Sequence, residues 1–447
     1  FVYWNIFIQT TITGISNDND NDGVLNPGES ALIHLSVNVE SGPSNAENVV
    51  GVLSSELDWV HFSPSTIDIG SLPANGNMVE IETTISLDEI GELSTAIFSL
   101  NLYAEFDDDG TAIEYHDEFN FELEVTLNQA GFPIESNEIR SSPLVIDLDN
   151  DGLNEIIFGD YDGVIHIYNA DGSERINSNF PFDTGGQIWG SAVAGDMDGD
   201  DLIDFAIPSK SKHLYIFDVN GLKLDYETEV YLIGTPAMGN LDGDSNLEIV
   251  FSGYSSNNKL FAINVDGSNV SGFPIELGEK AKAGPALADF NNNGRDDIVL
   301  GTDDNHIYLI LDDGSTATGF PFVTGDKIQT APSILEINSE KTIFAGSNDD
   351  YLYAVNSDGS LQFSFMSEDK IQASPSFLEI NGEAAIFFGN NDGYIHGLDM
   401  NGTPLPGWPV VMNGDIEGSV VFSDLDGDGE AEIVAASNTG ELGAFFL

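Results

Sequence analysis

The stretch that decides the fold is Asp147-Leu148-Asp149-Asn150-Asp151-Gly152-Leu153-Asn154-Glu155-Ile156-Ile157-Phe158-Gly159. Acidic side chains alternate along a tight, glycine-bearing loop, and an apolar run follows at once. Alternating oxygen donors on such a loop converge on one point, as a hard cation requires. The run from Glu155 to Gly159 reads as a short buried strand. The pattern recurs. Its first loop position is held by Asp147, Asp196, Asn240, Asp289, Glu336, Glu379 and Asp424, at intervals of 43 to 49 residues.

Around each loop the surroundings repeat too. A small-Pro-small start precedes it, and a second strand such as Val164-Ile165-His166-Ile167-Tyr168 follows the first glycine. Turns then come at Asp171-Gly172, Asn220-Gly221, Asp266-Gly267, Asp313-Gly314, Asp358-Gly359 and Asn401-Gly402, residues that tolerate positive φ. Each interval holds four short strands and their turns, the size of a propeller blade. No segment keeps a helical period. The expected fold is therefore all-β, a seven-bladed β-propeller over residues 128–447.

The last unit ends after three strands, around 419–424, 432–436 and 442–447. Its missing Gly-Phe-Pro strand stands before the first unit, at Gly131-Phe132-Pro133-Ile134, matching Phe180-Pro181, Gly272-Phe273-Pro274, Gly319-Phe320-Pro321 and Gly407-Trp408-Pro409. This strand near 131–135 is expected to close the final blade and remove a sheet edge. Residues 1–127 lack the period. Alternating segments at Ala31–Val39, Met78–Leu87, Thr95–Phe106 and Glu118–Thr126 suggest about seven strands, an immunoglobulin-like β-sandwich. Phe1 to Ile8 is apolar on both faces and reads as a covered strand, or as a donor strand linking copies into a homo-oligomer.

Across 447 residues, 76 acidic side chains face 12 basic ones, a formal charge of −64. Such a surface repels nucleic acid and anionic lipid, which need Lys and Arg to displace counterions. Hydrophobic residues at 41% are enough to fold, so the acidity calls for neutralising cations rather than disorder. There is no cysteine, hence no disulfide and no thiolate metal site. No run is long enough to span a bilayer as a helix. The start at Phe1 rather than Met reads as a mature or excised piece of a longer precursor.

Five loops have the full cation pattern. They are Asp147, Asp149, Asp151 and Glu155; Asp196, Asp198, Asp200 and Asp204; Asn240, Asp242, Asp244 and Glu248; Asp289, Asn291, Asn293 and Asp297; and Asp424, Asp426, Asp428 and Glu432. The seventh residues Leu153, Leu202, Asn246, Arg295 and Glu430 would each add a backbone carbonyl. Such oxygen donors at variable distance suit Ca2+ better than Mg2+. Units five and six, Glu336-Ile337-Asn338-Ser339-Glu340 and Glu379-Ile380-Asn381-Gly382-Glu383, lack the alternation and are expected to hold no metal. A sixth site is expected in the sandwich, at Asp18, Asp20, Asp22, Val24, Asn26 and Glu29, spaced like a twelve-residue EF-hand loop without flanking helices. Ca2+ is thus the expected cofactor, with a structural role suited to a calcium-rich extracellular or cell-surface setting.

These loops, the Glu-Ile-Ile-Phe-Gly type strands and the Phe-Pro strands resemble the FG-GAP/VCBS repeats of integrin α-chain propellers and related secreted bacterial and fungal proteins. The resemblance covers residues 131–447. It implies calcium between the first two strands of a blade, and roles in adhesion or glycan binding; some relatives are polysaccharide lyases. Asp22-Gly23-Val24-Leu25-Asn26-Pro27-Gly28-Glu29 is similar to accessory sandwiches of large secreted bacterial proteins, often proteases.

The loops entering the blades align into three rings. Three residues before the Pro position stand Arg140, Trp189, Ile233, Lys282, Gln329, Gln372 and Glu417; five before stand Glu138, Gln187, Tyr231, Lys280, Lys327, Lys370 and Asp415. Between them Ile139, Ile188, Leu232, Ala281, Ile328, Ile371 and Ile416 are apolar and should pack between blades. Five basic residues fall in the polar rings, so Arg140, Trp189, Tyr231, Lys280, Lys282, Lys327, Gln329, Lys370 and Gln372 form the candidate ligand site at a channel mouth, for a glycan or protein ligand. No Gly-x-Ser-x-Gly, His-Glu-x-x-His or phosphate-loop motif is present, and His166, His306 and His396 read as packing residues. The chain is expected to be a non-catalytic binding or adhesion module. The alternatives are a self-assembling structural subunit, and a polysaccharide-cleaving enzyme or accessory region of a secreted protease.

Overall fold

A computed structural model describes residues 6–18, 23–74, 76–88, 95–126, 132–380, 382–423 and 431–446. The described residues are all-β, with no helix among them. No helix is long and apolar enough to cross a membrane. Two compact units divide between Glu135 and Ser136.

The first unit has eight strands: β1 (Phe7–Ser16), β2 (Ser30–Ser41), β3 (Ala46–Ser54), β4 (Val60–Ser63), β5 (Thr66–Leu72), β6 (Val79–Leu87), β7 (Thr95–Asp108) and β8 (Thr111–Glu124). They form two antiparallel sheets, ordered β1-β2-β6-β4 and β5-β3-β7-β8. Alternation along β2 and β7 buries Ile33, Leu35, Val37, Phe98, Leu100 and Leu102 in one shared core. Each such side chain contributes about 1.5–3 kcal/mol by leaving water. At the edge, β1 pairs with β2 of its own chain, and its inward side is one-faced: Ile8 is buried while Phe7 is exposed. Phe1–Asn5, and with them most of the expected covered strand, lie outside the described residues.

The second unit is a succession of seven antiparallel sheets, here I to VII, each meandering in chain order. Their first strands are Leu144–Ile146, Val193–Gly195, Ala237–Gly239, Ala286–Ala288, Ser333–Ile337, Ser376–Ile380 and Val421–Ser423. Their second strands are Glu155–Gly159, Asp204–Ser209, Glu248–Ser252, Asp297–Gly301, Glu340–Gly346, Glu383–Gly389 and Glu432–Ala436. Among the described residues, sheets I to VI have four strands and sheet VII has three, ending at Leu442–Phe445. Phe132–Ile134, the expected closing segment, lies in no named strand, and Gly131 is outside the described residues.

Beyond their leading acid the second strands are mostly apolar, because both of their faces are covered. Phe205 and Ile207 of sheet II pack with Ile157, Ile165 and Ile188, while Ala206 between them packs with Phe251 and Phe261 of sheet III. The same alternation builds a core between each consecutive pair up to VI and VII, where Phe387 and Ile395 meet Ile433 and Ala435. First strands stand side by side. Ser142 donates its N–H to Ser191 Oγ (2.8 Å), and Ser191 donates its own to Thr235 Oγ1 (3.0 Å). Consecutive face-packed sheets ringed by their first strands are the construction of a β-propeller.

The glycine that ends a second strand has a defined use. At Gly159, Gly301, Gly346 and Gly389 an added Cβ would lie 2.1–2.4 Å from Cγ2 of Ile188, Ile328, Ile371 and Ile416, each on the segment leading into the next sheet. These isoleucines belong to the apolar ring and are fully buried. Ile139 departs from its ring and is 45% exposed.

Candidate metal centres and channel mouth

Each Asp loop joins the first and second strands of its sheet. In loop I, Asp147 accepts N–H bonds from Asp151 (3.1 Å) and Gly152 (3.0 Å), and Asp151 accepts one from Leu153 (2.8 Å). The loop thus folds around its own carboxylates, with Gly152 at φ 92 where a side chain would be strained. The ninth residue anchors it: buried Glu155 accepts the N–H of Leu148 (2.9 Å). Loops II and III repeat this, with Asp204 holding Met197 N (3.2 Å) and Glu248 holding Leu241 N (2.6 Å). Loop IV does so through Asp297 and Phe290 N (2.9 Å).

Among the described residues, three groups bring one oxygen from each of three acids within 4.8 Å of one another: Asp147, Asp149 and Glu155; Asp196, Asp198 and Asp204; Asp242, Asp244 and Glu248. Burial raises the carboxyls of Glu155, Asp204 and Glu248 and pushes Asp297 up to about 6. Asp198 Oδ1 and Glu248 Oε1 are buried without a hydrogen-bond partner. Convergent carboxylates with unused buried lone pairs fit a hard divalent cation. Bound calcium would supply the positive charge that lets these acids stay ionised inside the fold.

Loop VII lies mostly outside the described residues, with Asp424, Asp426, Asp428 and Glu430; Glu432 is described and buried. In the sandwich loop Asp20 and Asp22 are likewise outside. Its two ends are buried, with Gly23 N–H bonded to Asp18 Oδ2 (2.7 Å) and Asn26 N–H to Glu29 Oε2 (2.9 Å). Sheets V and VI differ in construction. Glu336 pairs with Lys341 and Ile337 with Glu340, so Asn338 and Ser339 form a two-residue turn at φ 54 and 66. Glu379 pairs with Ala384 and Ile380 with Glu383 in the same way, which leaves no room for a loop.

The opposite ends of the sheets form the candidate mouth. There one backbone bond repeats: Tyr161 N donates to Glu138 O, Lys210 to Gln187, Tyr254 to Tyr231, Asp303 to Lys280, Asn348 to Lys327, Asn391 to Lys370 and Asn438 to Asp415. The acceptors are the ring aligned five residues before the Pro position. The donors, from turns between second and third strands, form a further ring. It stands two residues beyond Gly159, Pro208, Ser252, Gly301, Gly346, Gly389 and Ala436.

Donor-ring side chains change the picture of the mouth. The Arg140 guanidinium lies 4.5 Å from the Tyr161 ring and 4.6 Å from that of Trp189, and pairs with Glu138 (2.7 Å). Lys210 Nζ stands 4.2 Å over Trp189, Lys212 5.5 Å from Tyr231, and Lys280 5.1 Å from Tyr254. Trp189 is thus covered by cations rather than open for sugar stacking. On sheets IV to VI an amide network continues the face. Gln329 donates to Asp303 (2.8 Å), Gln372 to Gln329 and Asn348 (3.3 Å each), and Tyr254 OH to Asp303 (3.1 Å). Lys327 is 3.7 Å from Asp303. Trp189, Ile233 and Lys282 line one cavity of about 290 Å³ with Gly190, Gly234 and Gly284. The mouth has a cation–aromatic half and an amide–acid half.

Of the three strand histidines, His396 is buried against Phe388 (5.1 Å) and Phe365 (5.2 Å). His166 and His306 have carboxylate partners, Glu174 (2.7 Å) and Glu279 (2.9 Å).

No curated protein matches the chain. Among solved structures it is similar to BBS1N in complex with ARL6DN, in crystals soaked with lead, at 14% identity over 71% of this chain and 94% of that one, TM-score 0.46. The crystal of the same complex soaked with mercury gives 15% identity over 71% and 93%, TM-score 0.45. Residues 240–300, from the third Asp loop into the second strand of sheet IV, match the family model described as FG-GAP-like repeat.

Proposed function

We propose that the chain is an extracellular, calcium-stabilised binding module whose ligand docks at the propeller mouth. One observation carries the reading. Of the 12 basic residues in a chain with 76 acidic ones, Arg140, Lys210, Lys212, Lys280, Lys282, Lys327 and Lys370 gather on the face tied by the repeated backbone bond. Convergent polar groups beside a cavity are the usual make-up of a ligand site. The FG-GAP-like repeat at 240–300 fits a binding or adhesion module.

In this reading the seven sheets are seven blades closed by the segment near 131–135, and the first unit is an immunoglobulin-like accessory sandwich with its own calcium loop. The ligand is a glycan or a protein. Binding is favoured over catalysis because the described acid clusters serve the loops and His396 is enclosed by aromatic rings. The test uses the chain in calcium against a printed array of neutral and acidic oligosaccharides and against immobilised matrix proteins. Retention without product release is expected, and Lys282→Ala/Lys327→Ala/Lys370→Ala should lose it while keeping the wild-type melting temperature. Undiminished binding by the triple variant, or turnover of a bound glycan, overturns the proposal.

A further inference from the structure

Loops I to IV meet the same difficulty, a buried carboxylate, in different ways. In loop I Arg175 reaches in, with Nη2 2.7 Å from Asp149 Oδ2 and 3.3 Å from Glu155 Oε1. In loop II Lys223 does so, with Nζ 2.7 Å from Asp204 Oδ1, 2.9 Å from Asp198 Oδ2 and 3.6 Å from Asp200 Oδ2. Loop IV uses neutral donors: Asp297 Oδ1 accepts Asn291 Nδ2 (3.3 Å) and Asp312 N (3.0 Å). In loop III, among the described residues, no Lys or Arg pairs with the acids: Arg295 packs against Gly243 but its guanidinium pairs with Asp312 (3.3 Å). Glu248 is fully buried, its Oε2 takes two backbone N–H bonds, and its Oε1 has no partner.

The difference traces to single positions. Arg175 N–H bonds Ile167 O, and the same bond is made by Val270 to Ala262 and by Ala317 to Leu309. Sheets III and IV therefore carry a short apolar residue where sheet I carries Arg175. Lys223 comes from the strand Gly221–Glu227 of sheet II.

We propose that Arg175 and Lys223 are built-in counter-cations that rival divalent metal for loops I and II, so that loop III takes calcium first. The inference rests on the reading of these loops as calcium sites. A divalent ion entering loop II must break the Lys223 contacts and then sit near the displaced ammonium, whose like charge weakens binding. In calcium-poor solution the tethered cation keeps the buried acid compensated. In loop III no tethered cation pairs with Glu248, whose Oε1 is left to the metal. Loading is then graded along the sheets.

The experiment is calorimetric titration with Ca2+ of the full chain, as wild type, Lys223→Met, Arg175→Met, Lys223→Arg and Glu248→Gln. Each Met variant should add one ion to the tightest class, by tightening its own loop about tenfold or more. Lys223→Arg should titrate as wild type, and Glu248→Gln should remove one ion from the tightest class. In chelator, Lys223→Met should melt below wild type, whereas in saturating calcium the two should melt together, which shows that the variant folds. Met variants that fold in calcium yet leave the tight class unchanged or smaller overturn the inference, as does a Glu248→Gln variant that keeps every tight ion. A wild type that binds no calcium instead removes the calcium reading itself.

Discussion

Replacing Gly301 by Ala tests the packing between sheets at one atom. The new Cβ would stand 2.1 Å from Ile328 Cγ2 and 2.8 Å from its Cβ, against a comfortable carbon–carbon contact of about 3.5–4.0 Å. Sheets IV and V must therefore part by about an ångström, or Ile328 must leave its rotamer. Overpacking of this kind costs about 1–3 kcal/mol. Gly301 is not in the positive-φ region, so the smaller unfolded-state entropy of Ala would otherwise stabilise by about 0.4–1 kcal/mol. The steric loss wins, with a net destabilisation of about 1 kcal/mol and a fall in melting temperature of about 2 °C. Gly418→Ala is the control, since its Cβ meets nothing within 4 Å and its φ is ordinary. Ile328→Ala alone leaves a cavity and costs about 2–5 kcal/mol, yet in the Gly301→Ala background it removes the closest clashing atom. Urea unfolding of the cycle should show the double variant less destabilised than the sum by about 1–2 kcal/mol. A neutral Gly301→Ala, or strict additivity with Ile328→Ala, would refute this account of how the sheets fit.

Three further outcomes follow from individual sites. Removing calcium from wild type should lower the melting temperature by several degrees, because each site loaded at ten times its Kd contributes about 1.4 kcal/mol, and three converging acid groups are present; an identical melt with and without chelator would refute it. Burial holds the His396 imidazole down at about 4, against an ordinary value near 6.5. Between those pH values the unfolded chain takes a proton that the folded chain refuses, so this share of stability is complete above about pH 6.5 and declines on acidification, by about 2–3 kcal/mol at pH 4.5. His396→Phe should lose less stability than wild type between pH 7 and 4.5 in urea titrations. Ser339→Gly should stabilise by about 0.5–1 kcal/mol in the same assay, because Ser339 holds φ 66 where the sibling turn in sheet VI uses Gly382 at φ 84.

Much of the second unit was legible because its repeat couples chemistry to position. Glu155-Ile156-Ile157-Phe158-Gly159 states at once a loop anchor, a strand covered on both faces and a close approach by the next sheet. The apolar ring was found from its neighbours in sequence, and Ile188, Leu232, Ala281, Ile328, Ile371 and Ile416 are all buried. What sequence did not give was partnership across the repeat. Arg175 and Lys223 lie 19 or more residues from the acids they meet, and no local spacing joins Arg175 to Glu155 (3.3 Å) or Lys223 to Asp204 (2.7 Å). Trp189 was legible as a member of the candidate ligand ring, but nothing local in its sequence brings Tyr161, Arg140 and Lys210 to it. In the sandwich, β8 begins at Thr111, well before Glu118, because Asp117 interrupts an alternation that the hairpin at Asp109-Gly110 carries through regardless.

Positive charge is scarce in this chain and is not spread to neutralise it evenly. Residues 1–135 contain no Lys or Arg. Four basic groups stand at the loop ends of the sheets, where Arg175, Lys223, Arg295 and Lys341 pair with Asp149, Asp204, Asp312 and Glu336. Seven stand at the mouth, and Lys259 pairs with Glu276 elsewhere. At physiological ionic strength a charge is felt over about 8 Å, so the mouth cations act only on a ligand already close to them. Farther out, the formal charge of −64 dominates the field. An acidic ligand would therefore be repelled during approach and attracted on arrival, and added salt should raise its association rate. A basic ligand would be steered in, and salt should slow it. The salt dependence of the association rate thus separates a ligand held by Lys282 and its neighbours from one held by Asp303 and the amide half of the mouth.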